Sequence, residues 1–153
     1  MPAATGGALP PPAGVAPAAA GNDSRMHASD SVKRAAHAVG AHRITTRPST
    51  RHVRVEAGGR VLAESDRAVE LDETGLPTRY YLPREDVRTE LLTPSDTTSH
   101  CPFKGDATYL SAPGVADAFW VYEAPSEADA QPVAGLLAPW PGRVEVWVDG
   151  RRA

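Results

Sequence analysis

A cysteine and a lysine separated by two residues form the first pair in this sequence with chemical potential. They lie in the segment Cys101-Pro102-Phe103-Lys104-Gly105. Pro102 restricts Cys101 to an extended conformation and suits a corner of a turn, which would return Lys104 toward Cys101. A nearby ammonium group lowers the pKa of a thiol and favours the thiolate. The spacing makes Cys101 a candidate nucleophile and Lys104 a candidate cation for an anionic ligand, although a free cysteine is more often a small buried hydrophobe.

A second candidate group lies in residues 79–86, which read Arg-Tyr-Tyr-Leu-Pro-Arg-Glu-Asp. One tyrosine should pack inward and the other outward, because successive side chains of a strand alternate. In the functional interpretation Tyr81 stacks on a ligand, and Asp86 orients this ligand or acts as a base. In the structural alternative Tyr81 belongs to the core, and Asp86 caps a turn or forms a salt bridge.

Three further residues are candidates for ligand binding. His100 and Tyr109 flank the cysteine–lysine segment, and Trp120 lies in the aromatic run that follows. Adjacent side chains point apart in an extended segment, so a direct couple between His100 and Cys101 is not expected. Aromatic residues in strands usually belong to the core, and the wall of a pocket is the alternative for Trp120.

The elements that position these residues lie in the C-terminal two thirds of the chain. All nine aromatic residues occur at or after Tyr80, whereas residues 1–50 contain 13 Ala, 6 Pro and 5 Gly. Such a segment cannot bury enough apolar area to offset the entropy of ordering it. The sequence therefore predicts a disordered tail over residues 1–49 and one β-rich domain over residues 50–153. The tail carries a charge of +3, so the domain carries −6 of the total of −3.

Short strands and turns dominate the predicted domain. Alternation indicates a half-buried strand over residues 51–57, and Gly58-Gly59 then predicts a tight hairpin. Residues 117–123 are apolar on both faces, which is typical of a central strand covered on both sides. Further strands are predicted around Val69 and Leu71 and at residues 61–63, 79–82, 107–111 and 144–148. The fold class is mainly β: one small antiparallel sandwich, roll or partly open barrel with one or two short helical turns.

Two segments are predicted to lie outside regular sheet. Residues 93–105 read as the longest irregular connection, and long ordered loops are often functional. Residues 136–141 contain two prolines, which cannot donate to a sheet and therefore indicate an edge or a loop. One helical turn is predicted at residues 84–86 after Pro83, and another at residues 126–130, ended by Pro132.

Composition excludes several classes of protein. A single cysteine rules out an intrachain disulfide framework, and no apolar stretch approaches the roughly 20 residues of a membrane helix. A pI near 5.9 gives no global attraction to nucleic acid. Only His52 and His100 fall in residues 50–153, so no metal site is predicted, and no Gly-rich phosphate loop occurs. We expect a cytoplasmic protein with a small-molecule ligand, without nucleic acid or membrane as partner; the cofactor is unknown.

Residues 52 to about 150 resemble the bacterial and fungal domain-of-unknown-function family 427. The resemblance rests on Val53-x-Val55 with its Gly-Gly hairpin, Tyr80-Tyr81-x-Pro83-x-x-Asp86-Val87, residues 98–109, Trp120-x-Tyr122, and Val144-x-Val146-Trp147. It implies a small β-rich domain of unassigned activity, sometimes labelled nucleotidyltransferase-like. The chain departs from the family's pattern at residues 136–141, where the family usually has an apolar-aromatic strand with fewer prolines.

Three hypotheses about function follow. The first is a small-molecule site, binding or catalytic, between residues 79–86 and 98–109, where Tyr81, Asp86 and Lys104 would share a pocket. The second is a nucleotidyltransferase, which needs at least two carboxylates within reach of one metal ion. The third is a protein-interaction module, which predicts an exposed apolar patch.

Overall fold

A computed structural model describes residues 42–153, and this part of the chain is built from short antiparallel strands. The predictions for residues 1–41, including their disorder, lie outside the described residues. The strands are β1 (Ile44–Pro48), β2 (Val53–Ala57), β3 (Arg60–Ser65), β4 (Val69–Glu73), β5 (Arg79–Tyr81), β6 (Thr93–Cys101), β7 (Gly105–Ala112), β8 (Val115–Tyr122), β9 (Leu137–Pro139), β10 (Glu145–Val148) and β11 (Arg151–Arg152). Three single 3-10 turns accompany them, at Arg84–Asp86, Thr89–Leu91 and Ala128–Val133.

The strands form three antiparallel sheets. The middle sheet has the order β9-β8-β7-β6, the β2 sheet has the order β11-β10-β2-β3, and the β1 sheet has the order β1-β4-β5. The mainly-β antiparallel fold with only short helical turns is therefore confirmed. No helix within residues 42–153 has the length and apolarity that crossing a bilayer requires.

The middle sheet separates two cores. Its strand β8 sends Phe119 and Val121 into an aliphatic core shared with Val53 and Val55 of the β2 sheet. The alternate residues of β8 enter an aromatic core, which consists of Ile44, Leu71, Tyr81, Cys101, Phe103, Ala107, Tyr109, Trp120, Tyr122, Val133, Ala138 and Trp140. Because β8 is buried on both faces, the prediction of a central strand from its two apolar sides is confirmed.

The predicted hairpin between β2 and β3 is also confirmed. Gly58 and Gly59 both have positive φ, 58° and 79°, as a primed two-residue turn requires. Val53 and Val55 are fully buried, and the residues between and after them are partly exposed. The alternation at the C-terminus is likewise that of a strand, with Val146 and Val148 buried in β10.

The prediction of an irregular connection at residues 93–105 is wrong. Thr93–Cys101 forms strand β6, which pairs with β7 through a hairpin at residues 102–104. The strand lies at the edge of the middle sheet, and only its alternate residues are partly buried. The strand consists mostly of serine and threonine, so the apolar periodicity that marks other strands is missing here. Its backbone nevertheless pairs with β7.

Two boundaries also differ from those predicted. Strand β1 (Ile44–Pro48) pairs with β4 over its whole length, so folded structure begins before residue 50. The third 3-10 turn spans Ala128–Val133 and includes Pro132, which does not end it earlier. Residues 137–139 form an edge strand, as the prolines around them predicted.

Candidate functional site

One face of the β1 sheet directs charged side chains toward the aromatic core. Ile44 lies opposite Glu73, and Leu71 lies opposite Arg79. Directly paired residues share a face, as do residues two apart on one strand. Glu73, Arg79 and Tyr81 therefore project from the same side as the buried Leu71.

The hairpin between β6 and β7 places Lys104 inside the protein. Cys101 pairs with Gly105 across the turn, and the Lys104 side chain is only 1% exposed. Gly105 has a φ of +98°, and a Cβ at this position would lie 3.2 Å from the carbonyl oxygen of Ala124. A glycine is therefore required for the chain to enter β7 in this geometry.

Lys104, Glu73 and His42 form a continuous polar chain. Lys104 Nζ lies 2.5 Å from Glu73 Oε1, and His42 Nε2 lies 3.0 Å from Glu73 Oε2. The His42 ring stacks on Phe103 with ring centroids 3.9 Å apart. Since Glu73 is 2% and His42 20% exposed at the side chain, this chain leads from the surface to a fully buried amine.

The buried ion pair adjoins aromatic side chains. Lys104 Nζ lies 5.6 Å from the centroid of the Tyr122 ring, close enough for a cation–π interaction. Removing two charges from water costs several kcal/mol per ion, and their mutual attraction often repays no more than this. A hydrophobic pair of similar size would satisfy the fold at least as well.

Four buried polar atoms at or near the pair have no hydrogen-bond partner within residues 42–153. They are Arg79 Nε, the hydroxyl oxygen of Tyr122, and also His42 Nε2 and Glu73 Oε2, whose 3.0 Å contact lacks hydrogen-bond geometry. Burial lowers the pKa of Arg79, opposed by the charge of Glu73, and burial raises the pKa of Tyr122 well above its usual value. No ion pair of Arg79 occurs within residues 42–153. The cluster thus contains two basic side chains, Lys104 and Arg79, and one carboxylate, Glu73.

Cys101 lies in the aromatic core beside this cluster, and it is fully buried. Burial raises the pKa of its thiol, whereas the Lys104 charge and the backbone N–H groups of Phe103 and Lys104 lower it by less. The turn does bring the lysine charge to bear on the thiol, as the spacing predicted. The net effect favours the protonated thiol and does not support a nucleophilic role.

Three predicted ligand-binding aromatics belong to the same core. Trp120 Nε1 donates a hydrogen bond of 3.1 Å to the Tyr81 hydroxyl, and the two rings meet edge to face. The Tyr109 hydroxyl pairs with Ser99 Oγ at 2.7 Å, and burial raises the Tyr109 pKa to about 12. Tyr81 is completely buried and Tyr80 only partly, as the alternation of the two tyrosines predicted.

Asp86 and His100 lie apart from the Lys104 cluster. Asp86 accepts hydrogen bonds from Ser65 Oγ at 2.6 Å and from Arg67 Nη2 at 2.8 Å, and both interactions lower its pKa. It lines a separate surface cavity of about 360 Å³. His100 is exposed and pairs with Asp106 at 2.7 Å, on the opposite side of β6 from Cys101.

The carboxylates needed for a metal-dependent reaction are dispersed in the described part of the chain. Asp96 is exposed on β6, while Asp86 and Asp106 have the partners given above. Within residues 42–153 no group of three or more His, Cys, Asp or Glu side chains is placed to hold a metal ion.

Glu73, His42 and Arg79 are not among the candidate site residues that the sequence predicts. His42 falls in the range assigned to the tail, and the predicted strand around Val69 and Leu71 does not name Glu73. One signal was present: Val69, Leu71 and Glu73 alternate, so a strand that buries the first two also directs the third inward.

The comparisons with known proteins identify the family. A model of the family described as "domain of unknown function (DUF427)" matches residues 45–150. No curated protein matches the chain. The match spans more than two thirds of the sequence, so the chain belongs to the DUF427 family.

Proposed function

We propose that this DUF427 domain binds a small molecule with an anionic group at the cluster of His42, Glu73, Arg79 and Lys104. The observation that carries the proposal is the buried Lys104–Glu73 ion pair at the edge of the aromatic core. Arg79 lies on the same face of the β1 sheet, and its Nε has no hydrogen-bond partner among the described residues.

Stability is a weak explanation for this pair. A buried ion pair seldom stabilises a protein more than an apolar pair of similar volume. Among the described residues Lys104 is the one buried Lys or Arg, since the arginines of residues 42–153 are partly or fully exposed. A buried amine beside a carboxylate is more typical of a functional site than of general packing.

The charge of the cluster favours an anionic ligand. Arg79 has lost hydration by burial and has no carboxylate partner within residues 42–153. A guanidinium group binds carboxylate or phosphate through two parallel hydrogen bonds, and such bonds are about twice as strong as neutral ones. A carboxylate or phosphate group of a ligand would give Arg79 an acidic partner.

The exposed edge of the cluster indicates the direction of entry. The His42 side chain is 20% exposed and Arg79 is partly exposed, whereas Glu73 and Lys104 are buried beneath them. A ligand that contacts Arg79 and displaces the His42 ring from Glu73 would reach the lysine.

Thermal unfolding of the full chain tests the proposal. The probes are acetate, glycolate, succinate, inorganic phosphate and nucleotides with Mg²⁺, each against wild type and Arg79→Gln. A ligand at 100 times its Kd adds about 2.7 kcal/mol to the free energy of unfolding, which is several degrees for a domain of this size. Arg84→Gln is the matched control, since Arg84 is exposed and pairs with Glu123 at the surface.

We expect a carboxylate or phosphate compound to raise the melting temperature of wild type and of Arg84→Gln but not of Arg79→Gln. An equal shift in all three chains would place binding elsewhere and contradict the proposal. A shift confined to nucleotides with Mg²⁺ would favour the nucleotidyltransferase-like alternative. No shift with any probe would favour an interaction module.

A further inference from the structure

We infer that the Lys104 amine forms a reversible imine with a carbonyl group of the ligand, which makes the ligand a small oxo acid. The inference rests on the proposed function, because it uses the same site. It names the reacting atom and the ligand class: an aldehyde or ketone next to Lys104, joined to a carboxylate or phosphate held by Arg79.

The choice of lysine at position 104 is the first argument. Every other Lys or Arg between residues 42 and 153 is an arginine. The ion pairs Arg47–Glu70, Arg67–Asp86 and Arg84–Glu123 all use a guanidinium group. A guanidinium group stays charged in proteins, whereas an ammonium group can lose its proton and become a nucleophile. The one lysine of the domain is thus the one buried beside a carboxylate.

The position of Glu73 is the second argument. Its Oε1 lies 2.5 Å from Lys104 Nζ, which is within range for direct proton transfer. Transfer gives a neutral amine and a neutral carboxylic acid. The direct contact lets the proton pass between the two groups without an intervening water. A lysine desolvated among apolar groups is a recognised amine nucleophile.

The covalent step balances with the groups present. Glu73 takes a proton from Lys104, and the neutral Nζ attacks the carbonyl carbon, so that a C–N bond forms and the C=O π pair moves to oxygen. A proton then moves from nitrogen to this oxygen and gives a carbinolamine. Glu73 returns its proton to the hydroxyl group, which leaves as water while the nitrogen lone pair forms the C=N bond. The product is a protonated imine, and Glu73 is again a carboxylate.

The surroundings suit the product as well as the reactants. The protonated imine keeps the positive charge near the Lys104 nitrogen, where the Glu73 carboxylate and the face of Tyr122 stabilise it. The anionic group of the ligand meets Arg79, whose Nε has no other partner in the described part of the chain. An oxo acid thus offers one group to each cation.

Reductive trapping tests the inference on the full chain. Glyoxylate, pyruvate and 2-oxoglutarate are each added with cyanoborohydride, which reduces an imine to a stable amine, and the modified residue is found by peptide mass mapping. The chain has only two lysines, Lys33 and Lys104, so Lys33 serves as the internal reference, and the chain unfolded in urea gives the unassisted rate at both. The competitors are glycolate, lactate and 2-hydroxyglutarate, which keep the carboxylate but lack the carbonyl group.

We expect one oxo acid to modify Lys104 on the order of tenfold or more faster than Lys33, since a carbonyl group bound next to an amine reacts at a high effective concentration. The rate at Lys104 should saturate and should fall when the matching hydroxy acid is added, while the rate at Lys33 stays constant. Glu73→Gln should slow the reaction at Lys104 only. The competition experiment uses the wild-type chain, so it tests imine formation at Lys104 even if Glu73→Gln fails to fold.

The possible outcomes distinguish imine formation at Lys104 from anion binding at the same site. If a hydroxy acid stabilises the chain through Arg79 but Lys104 reacts no faster than Lys33, the proposed function stands and the imine is wrong. If Lys104 reacts more slowly than Lys33 with all three oxo acids and no anion stabilises the chain, both the imine and the proposed function are wrong. The inference would also be overturned if the hydroxy acid did not slow the modification of Lys104.

Discussion

Replacing Lys104 by Met removes the positive partner of Glu73 from a place where both side chains are at most 2% exposed. The remaining carboxylate is then a buried charge without its lysine. Breaking a buried ion pair from one side costs about 3–5 kcal/mol. Domains of this kind unfold with about 5–15 kcal/mol, so the variant loses a large part of its stability. At about 4 °C per kcal/mol, the melting temperature falls by about 12–20 °C.

The double variant Lys104→Met, Glu73→Met separates the cost of the stranded charge from the cost of repacking. Replacing a buried ion pair by apolar side chains is often neutral or stabilising. We therefore expect the second substitution to recover most of the loss. Arg84→Met is the control, because its pair with Glu123 is largely exposed and should contribute at most about 1 kcal/mol.

Urea unfolding followed by tryptophan fluorescence measures all three variants, and Trp120 and Trp140 report on the aromatic core itself. A loss below about 1 kcal/mol in Lys104→Met would mean that the pair behaves as a solvated surface pair, which refutes the reasoning. A double variant no more stable than Lys104→Met would assign the loss to packing and not to the uncompensated charge.

Three further predictions concern the surroundings of the site. Because burial raises the pKa of Cys101, its thiol should react with Ellman's reagent only after unfolding; rapid reaction of the native chain would contradict the assignment to the core. Asp86→Asn should cost about 1–2 kcal/mol at pH 7, since Ser65 and Arg67 bind the carboxylate. The hydrogen bonds from Arg67 and Ser65 lower the folded-state pKa of Asp86. In urea unfolding at a series of pH values, the stability difference between Asp86→Asn and wild type should therefore be complete above the unfolded-state pKa near 3.9 and vanish as the pH falls through the lowered folded-state pKa. A stability difference that persists at that low pH would refute this. Gly105→Ala should destabilise the chain by about 1–3 kcal/mol, because the φ of Gly105 is positive. The loss should exceed that of Gly142→Ala, since Gly142 has a similar φ of +96° but open space at the Cβ position. Equal losses in thermal unfolding would mean that the contact with Ala124 does not contribute.

The strands that could be predicted are those with a regular apolar pattern. Val53 and Val55 alternate with polar residues, and residues 117–122 are apolar on both sides, so their burial follows from the sequence. Strand β6 gave no such signal, because an edge strand with one half-buried face can be built from serine and threonine. What holds it is the hydrogen-bond ladder to β7, which leaves no trace in hydrophobicity.

The contacts of Lys104 follow from the sequence only in part. Lys104 follows from the turn at Pro102 and Gly105, since a local motif defines it. Its partner Glu73 lies 31 residues earlier, and the pairing depends on how the β1 sheet covers the middle sheet. Local sequence says little about such a contact.

For Asp86, closeness to Tyr81 along the chain does not mean that the two side chains share a site. Tyr81 is buried in the aromatic core and the next residue, Leu82, in the aliphatic core. The chain passes the edge of the middle sheet at this point, where Leu82 bridges to Leu137 of β9. Residues 84–86 therefore lie with Val87 near the β2 sheet, and Asp86 meets Ser65 and Arg67 there.

Chemical-shift mapping of the ¹⁵N-labelled full chain during titration with glycolate, lactate and 2-hydroxyglutarate tests the central claim most directly. The account predicts saturable shifts, for at least one of these anions, centred on the amides of Glu73, Arg79, Phe103 and Lys104, and their loss in Arg79→Gln but not in Arg84→Gln. Shifts centred on the cavity around Asp86, or no saturable shift with any of the three, would contradict it.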